Sequence, residues 1–131
     1  MAGLQVLEDQ YRAQGFAVAG FYSNNFGKQG GSDEQIAEVT EKYGVKHDQY
    51  AVAPVVGDSP RPVFKWLLSH PNPGPKEGEL APSWNFFTFL ISRTGELVAA
   101  FEPSAYPGRK PEKERWSASP LVQAIEAQLK K

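Results

Sequence analysis

Ser23, His47 and Asp48 are the residues of this chain whose types could form a nucleophilic triad for acyl transfer. Such a site needs a serine on a sharp turn, usually flanked by glycines, with a histidine and a carboxylate aligned behind it. No glycine pattern of that kind surrounds Ser23. His47 and Asp48 are adjacent in the chain, so their side chains diverge in most backbone conformations. The sequence therefore disfavours a hydrolase of this type.

Metal and thiol chemistry receive no support from the residue types. His47 and His70 share no spacing with carboxylates that is typical of a metal site, so we expect both histidines on the surface. The chain contains no cysteine, which excludes disulfides, thiolate metal ligands and a thiol nucleophile within these residues. Redox chemistry on this chain would therefore need a reactive group from elsewhere.

Length and charge narrow the class of protein further. The chain has 131 residues, with 14 Lys plus Arg against 15 Asp plus Glu and a formal net charge of −1. This length favours a single domain over the whole chain. The balanced charge, with no basic face, argues against nucleic acid as a partner. No apolar run approaches the ~20 residues of a membrane-spanning helix, so no membrane span is predicted.

The first half of the chain predicts a helix, a strand and a second helix. The apolar spacing over about residues 3–14 indicates an amphipathic helix, and the apolar run 16–22 is typical of a strand buried on both faces. Residues 23–31 are a loop by composition. Ser32 and Gln35 form a capping box that opens the second helix. The residues expected on its inner face are Ile36, Val39 and Tyr43.

The second half predicts a helix, a hairpin and a last helix. Ser59-Pro60 and Ser119-Pro120 are typical helix starts, and the proline-rich residues 71–82 predict a surface connection. Residues 86–91 and 97–101 predict two strands joined by a tight turn. The residues expected to be buried in the two helices are Val63, Phe64, Leu67 and Leu68 in the first and Leu121, Ile125 and Leu129 in the second. Helices and strands in this order predict an α/β three-layer sandwich.

Two segments resemble the glutathione peroxidase family. Residues 20–29 are Gly-Phe-Tyr-Ser-Asn-Asn-Phe-Gly-Lys-Gln, where the family has Gly-Phe-Pro-Cys-Asn-Gln-Phe-Gly-x-Gln. Residues 83–86 are Ser-Trp-Asn-Phe, where the family has Trp-Asn-Phe at the start of a strand. Further similar segments follow the family's order at Leu4–Leu7, Val45–Asp48, Val56–Asp58 and Pro62–Trp66. The resemblance covers about residues 3–129 and implies a thioredoxin-like α/β/α sandwich with a mixed sheet.

The resemblance implies that Gln29, Trp84 and Asn85 belong to the active site. In the family these donors surround a peroxidatic selenocysteine or cysteine, whose anion attacks the O–O bond of a peroxide and is then reduced by thiols. Neutral N–H donors aimed at that anion favour it and lower its pKa. The chain departs from the family at residues 22–23, Tyr-Ser for Pro-Cys, and at Asn25, a Gln in the family. The loop after Gln29 is one residue shorter, so we expect it to differ in shape.

The family's first, central strand and the peroxidatic residue after it are not found in this sequence. By the resemblance they precede Met1, so we expect the chain as written to be inactive. We expect an in-frame UGA codon upstream that encodes selenocysteine but was read as a stop. This would explain why the strand and the peroxidatic residue are not found in the sequence. Cysteine in its place is the alternative. A non-catalytic thioredoxin-fold binding module that has lost its nucleophile, or an unrelated α/β domain, is the rival reading.

A missing central strand leads to a structural expectation. Residues 20–23 and 86–91 would have flanked that strand, so we expect either a split sheet or direct pairing of these two segments. In a split sheet, Gln29, Trp84 and Asn85 are expected to converge where the nucleophile would lie.

The resemblance also implies substrates and partners. The function is reduction of hydrogen peroxide or organic hydroperoxides in the oxidative-stress response, with glutathione or a similar thiol as co-substrate and no cofactor or metal. The chain has no resolving cysteine, so we expect reduction by a free thiol rather than through an internal disulfide. The connection between Trp66 and Trp84 lacks the longer insertion of tetrameric members, so a monomer is expected. The cytoplasm is the default location.

Overall fold

The structure, a computed structural model, describes residues 2–25, 31–70, 87–101 and 113–131. Helices and short strands alternate over most of these residues, which is the α/β arrangement predicted from the sequence. The elements are α1 (Ala2–Tyr11), a 3₁₀ turn (Arg12–Gln14), β1 (Ala19–Phe21), α2 (Asp33–Lys42), β2 (Asp48–Tyr50), α3 (Pro62–Leu68), β3 (Thr88–Ile91), β4 (Leu97–Phe101), α4 (Lys113–Ala118) and α5 (Pro120–Leu129). The sequence patterns do not predict β2 and α4, because both are too short to show a clear period.

Local signals set the ends of most helices. The first helix continues through the 3₁₀ turn and stops at Gly15, whose φ of 94° is readily adopted only by glycine. The capping box of α2 is confirmed, because Ser32 Oγ accepts the Gln35 N–H at 3.2 Å and Gln35 Oε1 accepts the Ser32 N–H at 2.9 Å. Ser119 caps α5 by accepting the Val122 N–H.

The third helix begins later than predicted. It starts at Pro62 after Arg61, and not at Ser59-Pro60. A residue that precedes proline is disfavoured in the helical region, and Arg61 accordingly has extended backbone angles of φ −56° and ψ 152°. Phe64 and Leu67 are buried as predicted, whereas Val63 is at the surface and Leu68 is half-buried.

The described strands form two separate two-stranded sheets. β1 pairs in parallel with β2, and β3 pairs with β4 as the predicted antiparallel hairpin. Neither strand of the first sheet pairs with a described strand of the second, which confirms the expected split of the sheet. The prediction of a strand buried on both faces over 16–22 is wrong: β1 is three residues long, and Ala19 in it is exposed. One edge of β1 borders a cleft, so no described side chains pack against that edge to bury the strand.

Two hydrophobic cores hold these sheets. The first packs α1 and α5 against the β3–β4 hairpin, and its buried members are Leu7, Tyr11, Leu90, Leu121, Val122 and Ile125. The second lies beneath α3, where Val55, Phe64 and Leu67 contact Phe21 and Phe89. Leu121 and Ile125 are buried as predicted, and Leu129 is half-buried at the margin of the first core.

The apolar face of α2 is not buried, contrary to the prediction. Val39 is 42% exposed and Tyr43 is 55% exposed, and Ile36 is half-buried. Ile36 and Val39 line the cleft beside β1 instead of packing on a strand. The helical spacing therefore predicted correctly which residues share a face, but that face is exposed and borders the cleft.

Tyr11 connects α1 to the C-terminal helices and leads to a pH-dependent prediction. Its hydroxyl donates to Glu126 at 2.7 Å and accepts from Trp116 Nε1 at 2.7 Å, and the residue is only 4% exposed. Burial, with a further contribution from Glu126, raises the pKa of Tyr11 to about 12 from its ordinary value of 10.0.

The folded state holds the proton of the Tyr11 hydroxyl more tightly than the unfolded state. The contribution of this hydroxyl to the stability of the fold is therefore complete below about pH 10 and is lost between about pH 10 and 12. The stability difference between wild type and Tyr11→Phe should shrink by roughly 2 kcal/mol over that interval, at about 1.4 kcal/mol per pKa unit. Urea unfolding of both proteins at pH 8, 10 and 11.5 measures this stability difference. A difference that stays constant with pH would contradict the raised pKa of Tyr11.

Candidate functional site

A cleft of about 940 Å³ separates the two sheets. Residues 15–23, which include β1, form one wall, and residues 87–93, which include β3, form the opposite wall. Leu7 of α1 and Leu121 and Ile125 of α5 also line it, and its size is within the range of ligand sites in proteins. The edges of β1 and β3 that pair with no described strand therefore border the same cleft.

At the carboxyl end of β1, the side-chain amides of Asn24 and Asn25 form hydrogen bonds with neighbouring described residues. Asn24 Oδ1 accepts the Gly31 N–H at 3.0 Å and Asn24 Nδ2 donates to the Gly31 carbonyl at 3.3 Å. Asn25 Oδ1 accepts from Ser23 Oγ at 2.6 Å and from the Val55 N–H at 2.8 Å. These contacts hold Gly31 close to Asn24, and Val55 close to Asn25, at the carboxyl end of β1.

The three predicted site residues, Gln29, Trp84 and Asn85, lie outside the described residues, so their convergence stays a prediction. Described residues that precede Gln29 and follow Asn85 in the chain line opposite walls of the cleft. Ser23, before the loop that contains Gln29, lines one wall, and Phe87, shortly after Asn85, lines the other.

His47 lies at the cleft within a buried polar cluster, and the prediction that it is a surface residue is wrong. It is 4% exposed, because Gln5 of α1 accepts the backbone N–H groups of Lys46 and His47 and draws this segment against the helix. Gln49 Nε2 donates to His47 Nδ1 at 2.6 Å. His70 is half-buried at the end of α3, where its Nδ1 lies 2.7 Å from the Trp66 carbonyl.

Glu8 is the buried carboxylate of the same region. Burial by itself disfavours its charge, but the Val18 N–H at 2.8 Å and the Arg12 guanidinium outweigh that effect and hold the pKa of Glu8 below its ordinary value. Sequence patterns gave no signal for Gln5 or Glu8, since both look like the polar face of an amphipathic helix.

The structure does not assemble a hydrolytic triad. Ser23 Oγ donates to Asn25, His47 is paired with Gln49, and Asp48 is exposed at the start of β2. Within the part of the chain that the structure describes, no group of three or more His, Asp or Glu side chains could hold a metal ion. The described helices also include none that is long and apolar enough to cross a membrane.

Arg61, just before α3, is a second residue of interest that the sequence did not reveal. Its guanidinium carbon lies 5.0 Å from the centroid of the Phe21 ring, at the end of β1. The Phe21 ring stacks on Tyr50 with a centroid distance of 4.6 Å. The Nη1 atom of Arg61 is buried and has no hydrogen-bond partner.

The parallel and antiparallel strand pairs, with helices packed around them, define an α/β protein. Comparison with known proteins gives the family: the glutathione peroxidase family model matches residues 1–68. A glutathione peroxidase-like peroxiredoxin of Schizosaccharomyces pombe is 36% identical over 107 residues, which is 80% of this chain and 66% of that protein. A glutathione peroxidase homolog, BsaA, of Halalkalibacterium halodurans is 37% identical over 109 residues, covering 79% of this chain and 66% of its own length.

A phospholipid hydroperoxide glutathione peroxidase of Callithrix jacchus is 35% identical over 102 residues, 77% of this chain and 51% of that protein. The chain belongs to the glutathione peroxidase family. It spans between half and two thirds of the length of these curated relatives.

Proposed function

We propose that the protein to which these residues belong reduces hydrogen peroxide or organic hydroperoxides with glutathione or a similar thiol. The observation that carries the proposal is the cleft bordered by β1 and β3, in a chain that belongs to the glutathione peroxidase family. We propose further that the chain is one domain of a monomer.

The cleft suits an additional β-strand. At the usual spacings within and between sheets, a strand residue occupies about 160 Å³, so the 940 Å³ cleft accommodates about six residues. A strand there could pair with β1 on one side and β3 on the other. Because the sequence has no cysteine, a sulfur or selenium nucleophile has to come from a segment outside it. A strand in this cleft is a direct way to deliver one.

Gln29, Trp84 and Asn85 are proposed as the donors that surround this nucleophile. Support comes from the Asn24–Gly31 contacts, which keep Gly31, two residues after Gln29 in the chain, at the carboxyl end of β1. Amide and indole N–H groups carry no net charge, so they stabilise a selenolate or thiolate without forming a competing ion pair.

The proposed reaction proceeds in two stages. The anion attacks one peroxide oxygen and the O–O bond breaks, which gives a selenenic or sulfenic acid. The leaving group is an alkoxide from an organic hydroperoxide or hydroxide from hydrogen peroxide, and it takes a proton to leave as an alcohol or as water. One thiol then forms a mixed sulfide with release of water, and a second thiol displaces the enzyme's anion as a disulfide leaves. The rival is a non-catalytic thioredoxin-fold binding module that has lost its nucleophile.

The test uses a form of the protein that carries a peroxidatic cysteine or selenocysteine ahead of residue 1. Trp84→Phe should lower kcat/KM for hydrogen peroxide by about tenfold or more, since a hydrogen bond to a charged group contributes about 1.5–3 kcal/mol. It should also raise the pKa of the nucleophile, measured from the pH dependence of its alkylation.

Trp116→Phe is the matched control. Trp116 Nε1 donates to the Tyr11 hydroxyl in the first core, and neither residue lines the cleft, so its replacement should change neither quantity. Equal effects of the two substitutions would refute the role of Trp84, and an inactive parent protein would refute the proposed function.

A further inference from the structure

Tyr11 and Trp116 form a stacked aromatic pair where the end of α1 meets α4. Their ring centroids lie 6.0 Å apart with an angle of 22° between the ring planes, and Trp116 Nε1 donates to the Tyr11 hydroxyl at 2.7 Å. Stacked rings that also share a hydrogen bond are close enough for an electron to pass directly from one to the other. Because the chain has no cysteine and one methionine, tyrosine and tryptophan are its most abundant readily oxidised side chains.

A proton acceptor lies beside the Tyr11 hydroxyl. This hydroxyl donates to Glu126 Oε1 at 2.7 Å, and Glu126 is exposed on α5. Burial, with a contribution from Glu126, raises the pKa of Tyr11 to about 12, so the reduced side chain keeps its proton at neutral pH. Loss of one electron makes a phenol strongly acidic, so a tyrosine is oxidised readily only where a neighbouring group takes its proton. The Glu126 carboxylate can take that proton and exchange it with water.

The two rings differ in their access to solvent. Tyr11 is only 4% exposed, whereas Trp116 is half-buried. A small oxidant or reductant can therefore reach Trp116, while a radical on Tyr11 would be shielded from solvent and from reaction with a second radical. Phe16, which lines the cleft, lies edge-to-face against Tyr11 with a centroid distance of 6.2 Å. One ring thus separates the pair from the cleft.

We propose that Trp116 and Tyr11 form a one-electron redox pair, in which Tyr11 holds an oxidising equivalent as a tyrosyl radical and so protects the protein from radicals derived from hydroperoxides. This activity goes beyond the proposed function, because it needs no nucleophile in the cleft and transfers one electron at a time.

The proposed steps balance as follows. An alkoxyl radical takes an electron from Trp116 and a proton from water, which gives an alcohol. Tyr11 then gives an electron to the oxidised Trp116 and its proton to Glu126. A one-electron reductant such as ascorbate returns an electron to Tyr11, which takes its proton back from Glu126, and the ascorbate is left as the ascorbyl radical with loss of a proton. The net reaction is the reduction of an alkoxyl radical to an alcohol by ascorbate.

Pulse radiolysis of the chain in azide solution tests the electron transfer. The azidyl radical oxidises tryptophan, and tryptophanyl and tyrosyl radicals have distinct absorption bands. In the wild type the tryptophanyl signal should decay as a tyrosyl signal grows, at a rate that does not depend on protein concentration. Tyr11→Phe and Trp116→Phe should each remove most of this phase. Tyr43→Phe is the matched control, because Tyr43 is 55% exposed, and it should leave the phase unchanged.

Glu126→Gln tests the proton acceptor without altering a buried residue. It should slow the growth of the tyrosyl signal about tenfold or more, since a positioned acceptor contributes at least that much to a proton transfer. Glu96→Gln, which replaces another exposed carboxylate, should have no effect. An unchanged rate in Glu126→Gln, or a phase that persists in Tyr11→Phe, would overturn the inference. If Tyr11→Phe does not fold, as judged by circular dichroism, the result for Glu126→Gln decides the matter.

The protective role has a separate readout. The wild type and Tyr11→Phe are exposed, with ascorbate present, to tert-butoxyl radicals generated photochemically from di-tert-butyl peroxide. Mass spectrometry should then find several times more hydroxylated Trp116 in Tyr11→Phe than in the wild type. Equal damage in the two proteins would overturn the protective role.

Discussion

The chain alone is expected to catalyse no thiol oxidation by hydrogen peroxide, with a rate equal to that of the protein-free blank. Peroxide reduction of this type needs a side chain that is oxidised by the O–O bond and then reduced again by thiols. The sequence has no cysteine, and its single methionine gives a sulfoxide that free thiols do not turn over at a useful rate. Ser23 cannot substitute, because its hydroxyl has no accessible oxidised form of this kind.

The measurement is consumption of glutathione with hydrogen peroxide and with an organic hydroperoxide, in parallel for the chain and for Trp84→Ala. Turnover clearly above the blank that disappears in Trp84→Ala would mean that these residues contain the whole active site. Turnover that both proteins share would instead indicate a contaminant or a bound metal.

The second large effect is expected at Ile125, which is 1% exposed in the first core. Removing three carbons from a fully buried isoleucine costs about 2–5 kcal/mol, from lost burial and from the cavity that remains. That is a large part of the ~5–15 kcal/mol by which domains of this size are stable. Ile125 also lines the cleft, so no neighbour on that side can move in to fill the space.

Urea unfolding of Ile125→Ala should therefore show a strongly reduced midpoint, or a protein that is already unfolded at 37 °C. Val39→Ala on α2 is the control, because Val39 is exposed and surface substitutions usually change stability by less than about 0.5 kcal/mol. Similar midpoints for the two variants would mean that α5 does not pack as described.

The sequence predicted those elements that depend on local signals. The Ser32–Gln35 capping box, the hairpin of β3 and β4 and the start of α5 after Ser119 all result from contacts within a few residues, which a sequence pattern contains. The start of α3 was misplaced because two prolines lie close together, and only the second begins the helix.

Features that depend on long-range packing were predicted less well. The burial of His47 depends on Gln5, 42 residues earlier in the chain, and nothing near His47 indicates it. The exposure of Val39 and Tyr43 depends on what lies across the cleft from α2. For the candidate site, the motifs identified Gln29, Trp84 and Asn85 only through the family resemblance. Arg61 came from the structure, since its ring contact and its unpartnered nitrogen follow from the approach of α3 to β1.

The strand β3 has a further consequence for how the protein unfolds. Successive side chains of a strand point to opposite faces, and here Leu90 belongs to the first core while Phe89 packs against the second. Leu97 of β4 also packs against the second core, so the hairpin, α1 and α5 cannot separate from α3 and β1 without disturbing both cores. Although the sheets share no hydrogen bonds in the described part of the chain, the two halves are mechanically coupled, and they are expected to lose their structure in a single cooperative transition.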